Sequence, residues 1–298
     1  MFEVFLQALI YGITLGIIYG IATMGLNLVW GIMRVVNFAH AEFITLGAYT
    51  AYWLWILINF NPISTIPVSG LLGFIFGMIV FYSIIYKFFS SPELMENATL
   101  VATFALGIVL AESMKVLWTA DYRGLSWNLG VIKYSWFIFP LSYAYTFIIS
   151  LIIIIVVYYI IYKTYLGKAI RAVIWDSGAA AICGINVKNT LTIGFSLGSA
   201  LAFVGGTLIV VYLPTGINPY MGQLYLLKAF VITILGGFGN PWGALIGGIL
   251  FGIIESIMPL VLAYIPGIEP LSFTPFIAFL ILIVILIIRP EGILGKRR

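Results

Sequence analysis

Along this chain apolar residues run in long blocks, and polar residues are confined to the gaps between them. A block of about 20 apolar residues crosses a bilayer as a helix. Blocks at about 4–28, 42–60, 67–88, 98–118, 141–162, 190–213, 223–238, 243–264 and 272–288 predict about nine transmembrane helices. Polar residues or glycines break the ends of the blocks at 42–60 and 223–238. The longest polar stretches, 119–140 and 163–189, are too short to form a separate soluble domain. The pattern therefore predicts an all-α polytopic membrane protein, with 1–298 as a single transmembrane domain.

Two places interrupt the blocks more deeply. WGIMRVVNFAHAEFITLGAY (30–49) carries polar residues, and ILGGFGNPWGALIGG (234–248) carries glycine, asparagine and proline. A pair of interrupted hydrophobic segments, one in each half, points to a translocation site. Irregular backbone is tolerated in a membrane only where protein or a watery cavity satisfies its polar groups. Half-helix ends also supply partial charges that suit a zwitterionic solute. The substrate-pathway candidates are Asn37, His40, Glu42, Asn218, Asn240 and Glu255. On a helix, Asn37 and His40 share a face at i, i+3, and Glu42 points elsewhere. Two readings of His40 stand side by side: a hydrogen bond tying a broken helix to its neighbours, or a gate in the pathway. Glu255 is either one half of an interhelical hydrogen bond or a proton-coupling acid. Glu112 and Lys115 are spaced to pair, and Lys228 is placed to snorkel toward water.

Composition removes the soluble classes. The chain is 63% hydrophobic and 8% charged, with a mean hydropathy of +1.16, against about 25% charge in soluble domains. Cys183 is the only cysteine, which excludes an internal disulfide framework and offers no metal site. A single histidine without a nucleophile or metal partner gives no catalytic constellation. No phosphate-binding G-x-x-x-x-G-K-[ST] motif occurs, because GILGKRR (292–298) lacks the spacing and the hydroxyl residue. The net charge of +4 reads as loop charge that sets orientation, not as nucleic-acid binding.

With 163–189 inside, the cytoplasmic segments hold Arg34, Lys87, Lys163, Lys168, Arg171, Lys188, Arg289 and Lys296–Arg298, and the outside holds Arg123 and Lys133. That places the N-terminus outside and the C-terminus in the cytoplasm. Glu3 stands where a signal peptide would carry basic charge, so the first block is expected to remain as a helix. TAYWLW (50–55) and SWFIFP (135–140) suit interfacial aromatic belts. Glycines three or four apart, such as Gly12 with Gly16 and Gly248 with Gly252, suit close helix packing.

The stretch YLGKAIRAVIWDSGAAAICGINVKN (165–189) differs from the rest. Ile170, Val173, Ile174 and Ala181 fall at helical spacing among Lys168, Arg171 and Asp176. Gly178 is a weak point that predicts two short helices, and Gly184 suits a helix stop. Such a segment either docks into a groove on a partner or lies flat on lipid.

NFAHAEF, LGKAIRAVIWDSGAAAICGIN, GINPYMG (216–222), LGGFGNPWGALIGG (235–248) and RPEGILG (289–295) together resemble segments of the LivH-type permeases of ABC importers for branched-chain amino acids. The resemblance covers nearly the whole length. It implies an importer subunit that binds no cofactor itself, with ATP used by partner subunits. It also implies a LivM-like second permease, two cytoplasmic ATPases, an extracytoplasmic solute-binding protein and a small-molecule substrate. Carried over by position, Gly167, Arg171, Asp176, Ala179, Ala180, Gly184, Ile185 and Asn186 match the family's ATPase-coupling loop. Ala41 stands where the family usually has glycine, which puts the local backbone geometry in question. Other solutes such as urea or amides, and an ion-coupled secondary transporter, remain the alternatives.

Overall fold

A computed structural model describes residues 2–88, 92–125, 127, 129–134, 137–213, 215–265, 269–289 and 291–295. The helices are α1 (Phe2–Met33), α2 (His40–Ile58), α3 (Thr65–Ser83), α4 (Pro92–Trp118), α5 (Leu141–Lys163), α6 (Tyr165–Trp175), α7 (Ser177–Ile182), α8 (Val187–Tyr212), α9 (Met221–Gly236), α10 (Pro241–Leu262) and α11 (Pro270–Ile288). Every apolar block is helical. Among the described residues, seven helices are long and apolar enough to cross a membrane. The other two blocks are shorter apolar helices, Met221–Gly236 and Phe273–Ile285 within α11. With 32 residues, α1 is about 48 Å long, well beyond the ~30 Å hydrocarbon layer.

Lipid offers no hydrophobic drive between helices, so they associate by close contact of small residues. Gly16 of α1 lies directly on the backbone of Gly248 and Ile249 of α10, and a Cβ there would collide with it. Gly25 of α1 meets Gly198 of α8 in the same way. Both pairs run antiparallel. α8 is then covered by α2 through Phe203 and Gly206, and by α3 through Ser199 and Phe203. The result is a core of α1 and α8: 83% of the apolar window of α8 is buried, against 17% for the peripheral α4.

The two ends of the bundle differ. One end gathers the C-terminus of α1, the end of α5, the start of α8 and the α9–α10 turn. Arg34, Lys87, Lys163, Lys168, Arg171, Lys188 and Arg289 all belong to it. The opposite end holds Arg123, Lys133 and two small ribbons. There β1 (Arg123–Gly124) pairs antiparallel with β4 (Thr215–Ile217). A hairpin of β2 (Val131–Tyr134) and β3 (Phe137–Pro140) sets Val131 opposite Pro140 and Tyr134 opposite Phe137. Strands of two to four residues carry no legible alternation, so the sequence pattern does not announce these ribbons. Lys296–Arg298 of the basic tail, and Ser135 and Trp136 of the expected aromatic belt, lie outside the described residues.

Candidate functional site

The first break is where the helical path stops and turns back. α1 ends at Met33, and Arg34 adopts a left-handed φ of 54°. Residues 34–39 then run back along the bundle, so that α2 starts beside the middle of α1: His40 Nε2 lies 2.8 Å from the Ala22 carbonyl oxygen. α4 supports the returning chain. The Phe38 amide donates to Thr103 Oγ1 (3.2 Å), and the Phe38 ring packs against Phe104 and Phe230. Ala41 sits in the regular first turn of α2 without a positive φ, so its extra methyl is accommodated.

Asn37 is not helical. Its carbonyl accepts from the His40 amide (3.3 Å), which replaces the expected shared helical face with a turn. Asn37, His40 and Glu42 are all buried. Among the described residues, Asn37 Nδ2 and Oδ1, His40 Nδ1 and Glu42 Oε2 have no hydrogen-bond partner. Each buried orphan costs about 1–3 kcal/mol unless water, a ligand or another chain meets it. The Glu42 carboxylate also lies against Gly222, in the first turn of α9, where a Cβ would strike it. A carboxylate at a helix N-terminus is in the favourable field of that end. Asn218, in the turn before α9, accepts from the Tyr220 amide (2.9 Å).

The second break, 237–240, sits at the end of the bundle rather than level with His40. Gly237 has a φ of 100° and Gly239 a φ of 77°, and the Gly239 amide donates to Asn27 Oδ1 near the end of α1. Asn240 caps α10, accepting from the amides of Trp242 (3.1 Å) and Gly243 (3.4 Å). Both interruptions exist, but they lie at different depths.

Glu255 is paired. Lys228 Nζ donates to Glu255 Oε1 at 2.6 Å and to the Tyr19 hydroxyl at 2.8 Å, joining α9, α10 and α1. Lys228 therefore does not snorkel. The two residues lie far apart in sequence, so no local spacing announces the pair. Glu112 and Lys115 form the expected ion pair at 3.2 Å, and both are exposed.

The segment from 164 to 186 is folded by its own polar side chains. Thr164 Oγ1 accepts from the Gly167 amide (3.1 Å) and starts α6. Gly167 rests on the carbonyls of Ile160 and Ile161, leaving no room for a Cβ. Asp176 Oδ1 accepts from the amides of Gly178 (2.8 Å) and Ala179 (2.9 Å), so the break between the two short helices falls at Asp176 rather than Gly178. Gly184, with a φ of 81°, ends α7, and Asn186 Oδ1 caps α8 through the Asn189 amide (3.0 Å). Ala180 is buried and Ala179 is exposed. Arg171 turns inward: its guanidinium donates to the Ile161 carbonyl and lies 5.0 Å from the centre of the Tyr162 ring. Among the residues that face outward are two large apolar ones, Trp175 at 85% and Ile182 at 89% exposed, beside the exposed Lys168, Asp176 and Ser177. Nothing in the sequence pattern singled out Ile182.

Among the described residues, no group of three or more His, Cys, Asp or Glu side chains is placed to hold a metal. The sequence candidates thus divide into a deep cluster (Asn37, His40, Glu42), two turn and cap residues (Asn218, Asn240), an ion-paired acid (Glu255) and a separate helical corner.

Residues 8–286 match the family described as the permease component of branched-chain amino acid transport systems. The chain is 28% identical over 306 residues to the high-affinity branched-chain amino acid transport permease LivH of Salmonella typhimurium, covering 99% of this chain and 97% of that one. It is 28% identical over 303 residues to BraD of Pseudomonas aeruginosa, covering 98% and 96%. It is 32% identical over 276 residues to the probable LivH of Methanocaldococcus jannaschii, covering 91% and 87%.

Proposed function

The chain belongs to the family of permease components of branched-chain amino acid transport systems, and from that premise we propose that it moves branched-chain amino acids inward by alternating access, driven by ATPase subunits that dock on α6 and α7. The observation that carries this reading is the exposure of Trp175 and Ile182 on a corner held by three side-chain caps. Apolar side chains this large, on a preorganised scaffold, suit a covering partner. A helix that lies on lipid turns its whole apolar face outward. α6 instead buries Ile170 and Val173 against the bundle. Trp175 and Ile182 stand as isolated apolar points beside Asp176, Ser177 and Asn186, as a groove in a partner protein requires.

The docking end carries most of the Lys and Arg among the described residues, which supports the reading that it faces the cytoplasm and the N-terminus the outside. ATP is then bound and split by the partner ATPases. A LivM-like second permease completes the pore, and an extracytoplasmic binding protein delivers the solute. The unpaired atoms of Asn37, His40 and Glu42 line the pathway at the start of α2, where water or the passing amino acid supplies the missing partners. Against the ion-coupled alternative stands the pairing of Glu255, the one acid of α10, with Lys228. The test is affinity purification of the assembled complex carrying Trp175→Ser with Ile182→Asp. The ATPases should be lost while the chain still inserts and purifies; full retention contradicts the docking site.

A further inference from the structure

Movement at the docking corner has to reach the pathway, and one set of contacts joins the two. Tyr162, the penultimate residue of α5, lies beneath the Arg171 guanidinium of α6. Its hydroxyl accepts a hydrogen bond from Trp242 Nε1 at 3.0 Å. The Trp242 ring packs edge-on against Tyr158 at 5.8 Å between centroids, and Tyr158 stacks on Tyr162 at 5.1 Å. Trp242 is in the first turn of α10, and its amide is bonded to the cap residue Asn240.

From Asn240 the connection is to α9. Asn240 Nδ2 donates to the Leu294 carbonyl (3.3 Å). The amides of Ile293 and Leu294 donate to the carbonyls of Leu235 (2.8 Å) and Gly236 (3.1 Å) at the end of α9. The segment 291–295 is therefore a strap that satisfies the last carbonyls of α9, which a helix end otherwise leaves open. α9, the 237–240 turn, the start of α10 and the strap form one hydrogen-bonded unit. The far end of α9 is the turn that meets Glu42.

We infer that Trp242 is a positioning residue that transmits displacement of the ATPase-docked corner, through the strapped end of α9, to the Glu42 region. This inference rests on the docking reading above. α1 offers a rival route, since it packs against both α9 and α10 and reaches α6.

The test uses the full complex in liposomes, measuring ATP hydrolysed per leucine imported. Trp242→Phe keeps a ring but removes the donor, and Tyr162→Phe removes the acceptor. Each should raise the ATP cost of import about fivefold, the factor expected from one lost hydrogen bond, with the ATPases still bound. The double variant should be no worse than either single one, because both remove the same bond. An unchanged ratio in both single variants overturns the inference and assigns transmission to α1. Loss of the ATPases from the variants alone also overturns it, by making the contact part of docking. If the unmodified chain fails to hold the ATPases, the docking reading fails first.

Discussion

The corner at 164–186 and the break at 34–42 are built in opposite ways. At the corner, four polar side chains are bonded to backbone: Thr164, Asp176 and Asn186 each cap a helix, and Arg171 meets the end of α5. The apolar Trp175 and Ile182 are left uncovered. At the break, apolar groups are packed, with Phe38 between two rings and Phe43 fully buried. There, among the described residues, the Asn37 amide, His40 Nδ1 and Glu42 Oε2 lack partners, while His40 Nε2 is held at the Ala22 carbonyl. On the proposed function each region is left open for what it would meet: an apolar protein surface at the corner, and water or a zwitterion at the break.

The largest effect that would break this comparison comes from Gly167→Val. The added side chain strikes the carbonyls of Ile160 and Ile161 and should cost about 3 kcal/mol of overpacking. Complex yield should collapse, because the corner can no longer form; normal assembly would show that the corner's shape is irrelevant. Glu42→Gln comes next. It keeps the volume and removes the charge, and leucine uptake by the reconstituted complex should fall about tenfold, or ~1.4 kcal/mol, with ATPases retained. Unchanged uptake would make Glu42 a structural residue.

Asp176→Ala should cost about 1 kcal/mol through loss of the α7 cap. Hydrogen exchange at the amides of Gly178 and Ala179 should quicken about fivefold, and unaltered exchange would mean the cap contributes nothing. Smallest is Asn37→Leu. Removing an amide that has no partner among the described residues and is met by water should leave thermal stability within about 0.5 kcal/mol while uptake declines. A large loss of stability would reveal that a protein group, rather than water, holds the amide, and would count against the hydrated reading.

The helices were legible because lipid imposes a length and a composition on every span. The short helices at 165–182 were legible too, in the spacing of Ile170, Val173 and Ile174 and in the stop at Gly184, although the hinge between them falls at Asp176 because a carboxylate caps better than a glycine breaks. Long-range facts were not legible. Nothing local joins Lys228 to Glu255, β1 to β4, or Trp242 to Tyr162. The depth of the 237–240 turn was hidden for the same reason, since it depends on which end of α1 it meets. The inward turn of Arg171 was not legible either, because its partner is the carbonyl end of α5.

The central claim is that transport energy enters through a nucleotide-hydrolysing partner seated on Trp175 and Ile182. Leucine uptake into liposomes holding the assembled complex tests it directly, with internal conditions set to supply either ATP or an ion gradient alone. The account predicts uptake with ATP and none with the gradient. Uptake driven by the gradient in liposomes lacking the ATPases would contradict it.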